Sequence, residues 1–224
     1  MAHDPHDHHD HDHHDHDHGH DAAPHRHPIR ADQDDTLTTW RAMEIAVRGL
    51  LIDKGILGAD EIRAQVEDMD HRTPLQGARV VARAWTDPAF RRLLLEDGNA
   101  ACEALGLDRG PYKLVVVENT EEVHNVVVCT LCSCYPRWLL GLPPDWYKSR
   151  NYRSRVINQP RDVLREFGTR VPDDVVVRVH DSTADMRYLV LPRRPAGTEG
   201  WTEEKLAALV GRDAMIGVAL VPAP

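Results

Sequence analysis

Cysteine is scarce, basic charge is in deficit, and no long apolar run occurs. Four cysteines serve 224 residues and three of them fall within six positions, too few and too crowded for a disulfide scaffold. No apolar stretch approaches the roughly 18 residues that a membrane span requires. The first residues lack the basic and apolar segments of a secretory leader, so a soluble chain of the cytoplasm is expected. Lysine and arginine number 27 against 36 aspartates and glutamates, a net charge of −9. Nothing in that balance supplies a basic face for nucleic acid. The length suffices for one or two domains with a sizeable core.

What is present is spread unevenly. Residues 1–28 contain seven Asp, one Arg and 12 of the 15 His, hence −6, which leaves only −3 for the remainder. Residues 1–35 have almost no apolar side chains to repay ordering and read as a disordered His/Asp-rich tail. Imidazoles of this density can gather divalent cobalt, nickel, copper or zinc. The plain alternative is a solvated segment that binds metal weakly and to no purpose.

Residues 36–106 read as a helical arm. Trp40, Met43, Val47, Leu50 and Leu51 recur at helical spacing until Gly55, and Ile62, Val66 and Met69 mark a second helix over Asp60–Met69. Thr73-Pro74 and Asp87-Pro88 each resemble an N-cap followed by proline at the first helical position. A short helix over Ala100–Leu105 closes this region.

Residues 110–221 change character. Leu114–Val117 and Val126–Val128 read as short buried strands joined by a turn at Asn119–Glu122. Leu131–Asn158, with three prolines, reads as loop. A helix follows over Arg161–Phe167, then a strand pair, Val175–Val179 with Met186–Leu191. A helix capped by Thr202 runs to Val210, and Met215–Val221 forms a last strand. The fold class is α+β, a layered mixed α/β metal-binding domain preceded by the helical arm and the tail.

Cys129-Thr130-Leu131-Cys132-Ser133-Cys134 is the one constellation dense enough to dictate chemistry. Its first thiol stands at the end of a valine-rich strand, and three soft sulfurs within six residues can surround one ion. Structural zinc needs a fourth ligand, ordinarily from a second pair, and an iron–sulfur cluster has the same need. Cys102, His71, His124 and His180 form no such pair. With one residue between Cys132 and Cys134, the amides of Ser133 and Cys134 lie inside the loop and can themselves become ligands.

The run Val126 to Pro136, Val-Val-Val-Cys-Thr-Leu-Cys-Ser-Cys-Tyr-Pro, strongly resembles the metal-binding motif of nitrile hydratase α-subunits. The likeness continues through Gly141–Lys148, Tyr152–Arg155, Arg187-Tyr188, Arg194–Thr198 and Arg212–Gly217. It spans nearly everything from Trp40 to Val221, and Thr130 resembles the cobalt branch. The resemblance implies one Co(III) per chain, bound by the sulfurs of Cys129, Cys132 and Cys134 and by the amide nitrogens of Ser133 and Cys134. It implies a thiolate at Cys129, a sulfinate at Cys132 and a sulfenate at Cys134. The metal then acts as a Lewis acid, and water adds to a small nitrile to give the amide without redox change.

Further positions are carried over the same way. Asp181 and Arg187 match an outer acidic residue and an arginine, and Asp185 stands where the family usually has Glu. Arg137, after Tyr135-Pro136, is more similar to the γ-subunit of thiocyanate hydrolase. Cys134, Cys132, Arg137, Asp181 and Arg187 are thus the candidate catalytic residues. The plain alternatives are a surface ion pair for Asp181, Asp185 and Arg187, which is worth little, and an exposed loop arginine for Arg137. The resemblance also implies one or more β-type partner subunits, gripped by the helical arm. The rival readings are a cobalt thiocyanate hydrolase γ-type subunit and a metal carrier or storage protein.

Overall fold

The computed structural model describes residues 37–224, so the expected disordered tail lies outside the described residues. Helix α1 (Thr39–Asp53) opens on Thr38, whose side chain accepts from the Arg41 amide, and α2 (Ala59–His71) opens on Gly58, whose amide donates to Glu61. Neither helix contains a buried residue. The predicted apolar face of α1 is therefore open: Trp40 is 78% exposed, Leu50 53% and Val47 52%.

Helices α3 (Leu75–Thr86), α4 (Pro88–Glu96) and α5 (Gly98–Ala104) are packed instead. Val80, Val81, Leu94 and Ala101 have no exposure. Asp87 caps α4 with Pro88 at the first position, as expected. Thr73 does not cap α3; Pro74 holds the cap position and no side chain bonds there.

The strands are β1 (Lys113–Glu118), β2 (Val123–Val128), β3 (Val176–Asp181) and β4 (Met186–Leu191). Their pairing corrects the sequence reading. β1 and β2 follow one another but do not pair, and neither do β3 and β4. β1 runs parallel to β4, and β2 parallel to β3, as two separate ribbons. The near-continuous burial of β2 is the mark of a parallel strand covered on both faces. Asparagine side chains take the place of a hairpin ladder. Asn119 Oδ1 accepts the Asn125 amide at 2.7 Å, and Asn125 Nδ2 donates to the Glu118 carbonyl at 2.7 Å.

The stretch expected as loop is partly helical: α6 (Arg137–Leu140), α7 (Asp145–Lys148) and α8 (Arg150–Asn158). Pro136 and Pro144 stand immediately before α6 and α7, where proline suits a helix start. Helix α9 (Pro160–Glu166) lies close to expectation, whereas α10 (Glu203–Ala207), capped by Thr202, stops short of Val210. Met215–Val221 is not a strand. Helix α11 (Arg212–Ile216) ends on Gly217 in the left-handed region, and bends and irregular chain follow. The apolar character of Met215, Ile216 and Val218, all within 1% of full burial, reflects packing rather than strand formation. The mixed helix-and-sheet class stands. No helix among the described residues is long and apolar enough to cross a membrane.

Candidate metal centre

The ribbon register builds the site. Val128, the last residue of β2, is opposite Asp181, the last residue of β3. The chain leaving β2 therefore passes directly over the Asp181 carboxylate. One carboxylate oxygen accepts the Thr130 amide at 2.9 Å and the other accepts the Thr130 hydroxyl at 2.6 Å. Ser182 completes the seam by donating its amide to the Val128 carbonyl at 2.7 Å.

Beyond this anchor the three thiols converge. Cys129 Sγ lies 3.4 Å from Cys132 Sγ, which lies 3.2 Å from Cys134 Sγ, and all three sulfurs fall within 4.8 Å of one another. Cys129 is wholly buried, Cys134 half-buried and Cys132 exposed, so the cluster has a floor and a mouth. Burial acts to raise the Cys132 thiol. Hydrogen bonds from Cys134, Cys129 and the main chain of Ser133 and Cys134 outweigh it and hold this thiol below its ordinary value. Burial and then hydrogen bonding to the other two sulfurs push Cys134 up to about 12. The sulfurs titrate as a coupled set rather than as independent thiols. The donor set fits a borderline-to-soft ion. Cys102 is buried in α5, and it, His71, His124 and His180 are outside this cluster. His124 instead bonds the Gly217 carbonyl at 2.8 Å and His180 the Asn125 side chain at 2.8 Å.

A family model described as nitrile hydratase, alpha chain, matches residues 38–219. The chain belongs to this family. It is 52% identical over 193 residues to the cobalt-containing nitrile hydratase subunit alpha of Pseudonocardia thermophila, covering 85% of this chain and 95% of the relative. It is 44% identical over 202 residues to the thiocyanate hydrolase subunit gamma of Thiobacillus thioparus, covering 85% and 83%. Among solved structures, a double mutant of the Fe-type nitrile hydratase from Comamonas testosteroni Ni1 superposes with a TM-score of 0.77 at 41% identity, over 86% of this chain and 97% of that one. A recombinant thiocyanate hydrolase with partially modified cobalt centres gives 0.76 at 44% identity, over 83% and 91%.

Arg187 forms no ion pair among the described residues. It is 6% exposed, its guanidinium lies 3.9 Å above the Tyr112 ring, and it donates to the carbonyls of Thr183, Ala184 and Met186. Asp181 bonds Thr130 and forms no ion pair among the described residues. Asp185 is exposed on the β3–β4 turn. Arg137, exposed at the start of α6, lines a cavity of about 410 Å³ together with Cys132, Ser133, Cys134 and Arg187. Sequence reasoning did not single out the tyrosines that brace the claw. Tyr147 donates its hydroxyl to the Cys134 carbonyl at 2.9 Å, and Tyr152 donates to the Val127 carbonyl at 2.8 Å. Both sit in an aromatic nest with Trp146 and Phe167.

Proposed function

We propose that this chain is the metal-bearing α-type subunit of a cobalt nitrile hydratase, converting a nitrile to its amide. The convergence of three sulfurs at the end of β2, beside an open cavity, carries the reading. We assign one Co(III) per chain to the sulfurs of Cys129, Cys132 and Cys134 and the amide nitrogens of Ser133 and Cys134. The amides of Ser133 and Cys134 lie beside the Cys132 sulfur, and binding an ion through their nitrogens would displace the protons they now carry. We assign a sulfinate to Cys132 and a sulfenate to Cys134, leaving Cys129 as thiolate. The burial of Cys129 and the accessibility of the other two favour that distribution.

When bound, the ion supplies Lewis acidity that polarises the nitrile carbon. The chain's own residues do the rest. Asp181 fixes Thr130, Tyr147 fixes the carbonyl of Cys134, and Arg187 holds the β3–β4 turn while placing positive charge beside Cys134. The reaction adds the oxygen of water to carbon and its two hydrogens to nitrogen, with no electron transfer. A β-type partner completes the substrate pocket.

Intact mass and metal analysis of the co-expressed complex test the centre. One cobalt per chain and a gain of about 48 Da, three oxygens, are expected. Peptide mapping should assign two oxygens to Cys132 and one to Cys134. Unmodified thiols in an active, cobalt-loaded preparation overturn the assignment. The second reading, a thiocyanate hydrolase γ-type subunit, is favoured by Arg137 in the cavity wall and by the 44% identity to such a subunit. Amide formation from nitriles supports the first reading; thiocyanate consumption with release of carbonyl sulfide supports the second.

A further inference from the structure

The proposed function leaves the His-rich residues without a role. Twelve of the 15 histidines stand in residues 1–28, interleaved with seven aspartates, ahead of the described residues. His6 and His8, His9 and His11, and His25 and His27 stand two apart, a spacing at which two imidazoles can close on one ion. At about four imidazoles to an ion, the 12 histidines serve about three ions, and three divalent ions also cancel the −6 charge of these residues. The rest of the chain holds no comparable set. His71, His124 and His180 bond the Glu67 carbonyl, the Gly217 carbonyl and the Asn125 side chain. The claw is the one group of three His, Cys, Asp or Glu side chains placed to hold an ion among the described residues, and it contains no imidazole. The helical arm links the two. Met69 and Arg72, at the end of α2, line the cavity together with Cys132, Ser133 and Cys134, and the His-rich residues join the other end of the arm ahead of α1. Helices α1 and α2 measure about 22 and 20 Å, whereas 36 residues of chain span up to about 120 Å. The imidazoles are therefore tethered within reach of the mouth of the claw.

We propose that residues 1–28 bind divalent cobalt and hold it beside the claw, so that the claw fills even when cobalt is scarce. Neutral imidazole suits such an ion. The aspartates have a separate part, which is to offset the positive charge that successive ions bring. Tethering a store to the site it serves raises the local concentration of ion there without any new contact. The binding site stands on the histidines alone; the feeding of the claw rests on the cobalt reading given above.

The experiment compares the full chain with one lacking residues 1–33, each co-expressed and purified with its partner. After a chelator wash, the complexes are dialysed against cobalt(II) at a free concentration on the order of 10 µM. The full chain should take up about three ions beyond those that survived the wash, and the truncated chain essentially none. His→Gln at all 12 positions keeps every carboxylate and should abolish the uptake. Uptake that persists in that variant or in the truncated chain overturns the site. So does the absence of uptake by the full chain, which is the behaviour of a solvated segment that binds metal weakly. The claw is read separately, as chelator-resistant cobalt and as the sulfur-to-cobalt absorption band. In cells grown with scarce cobalt, truncation should lower its occupancy about tenfold. With abundant cobalt the two forms should match, which shows that the shorter chain folds and loads. An equal deficit at both levels, or none at either, overturns the feeding role. If neither form holds chelator-resistant cobalt at any level, the cobalt reading of the claw fails and the feeding role with it, while uptake by the full chain still decides the His-rich site.

Discussion

Asp181 illustrates how little side-chain chemistry is needed to pre-form the claw. Its two oxygens hold both the amide and the hydroxyl of Thr130, the residue immediately after the first sulfur. The carboxylate is exposed, so its loss should cost the fold about 1 kcal/mol or less. Its effect on the metal should be larger, because mutation of groups that orient ligands commonly costs about 10–100-fold in affinity. On the proposed function, Asp181→Ala should therefore release cobalt to a chelator about tenfold faster while the urea midpoint barely moves, with Asp181→Asn in between. Equal release rates would show that the loop holds its shape unaided. The convergence of the three sulfurs was legible at this scale, because all lie within one short run of sequence. Tyr147 and Tyr152 were not. Their hydroxyls reach carbonyls 13 and 25 residues back along the chain, a proximity created only by the packing of α7 and α8.

Among the elements, helices with local stop and start signals read well and strand partners did not. Gly55, Asp87-Pro88 and Thr202 act on their own neighbours, whereas pairing depends on what covers each face. Three consecutive buried valines suit a hairpin and a two-sided parallel strand alike, and burial on both faces decided the matter. The apolar residues near the C-terminus misled for a related reason. Their job is to close the core under β2, and Gly217 makes that closure possible. It adopts a φ of 91°, and a Cβ there would stand 2.0 Å from the Asn125 carbonyl oxygen. Gly217→Ala should destabilise the protein by about 2–4 kcal/mol, from the strained backbone and the forced displacement of β2 together. Equilibrium unfolding in urea measures this; a loss under about 1 kcal/mol, the central cost of point substitutions in general, would mean that β2 gives way easily.

For the whole molecule, the unburied stripe on α1 calls for a cover. Trp40, Met43, Val47 and Leu50 are half or more exposed, and isolated soluble chains seldom leave so large an apolar row in water. On the proposed function the β-type subunit supplies the cover. Replacing Trp40 and Leu50 together by Glu should abolish or greatly weaken co-purification with that subunit. It should leave the urea stability of the isolated chain within about 0.5 kcal/mol, since neither side chain is buried there. Sedimentation of the co-expressed pair separates this from a stripe without a partner.

The long-range pairing of the two ribbons also sets a timetable. Thr130 meets its anchor only in a residue 51 positions later, and β1 pairs with a strand more distant still. Contacts of such separation form late, after the intervening chain has been made and its loop closed. During synthesis the sulfurs therefore leave the ribosome well before the carboxylate that shapes their loop. A nascent chain offers three unconstrained thiols to any passing metal or oxidant, and only the finished fold offers a floor, a mouth and a fixed gap between them. On the proposed function, cobalt loading then belongs after translation, with those thiols kept reduced until that point.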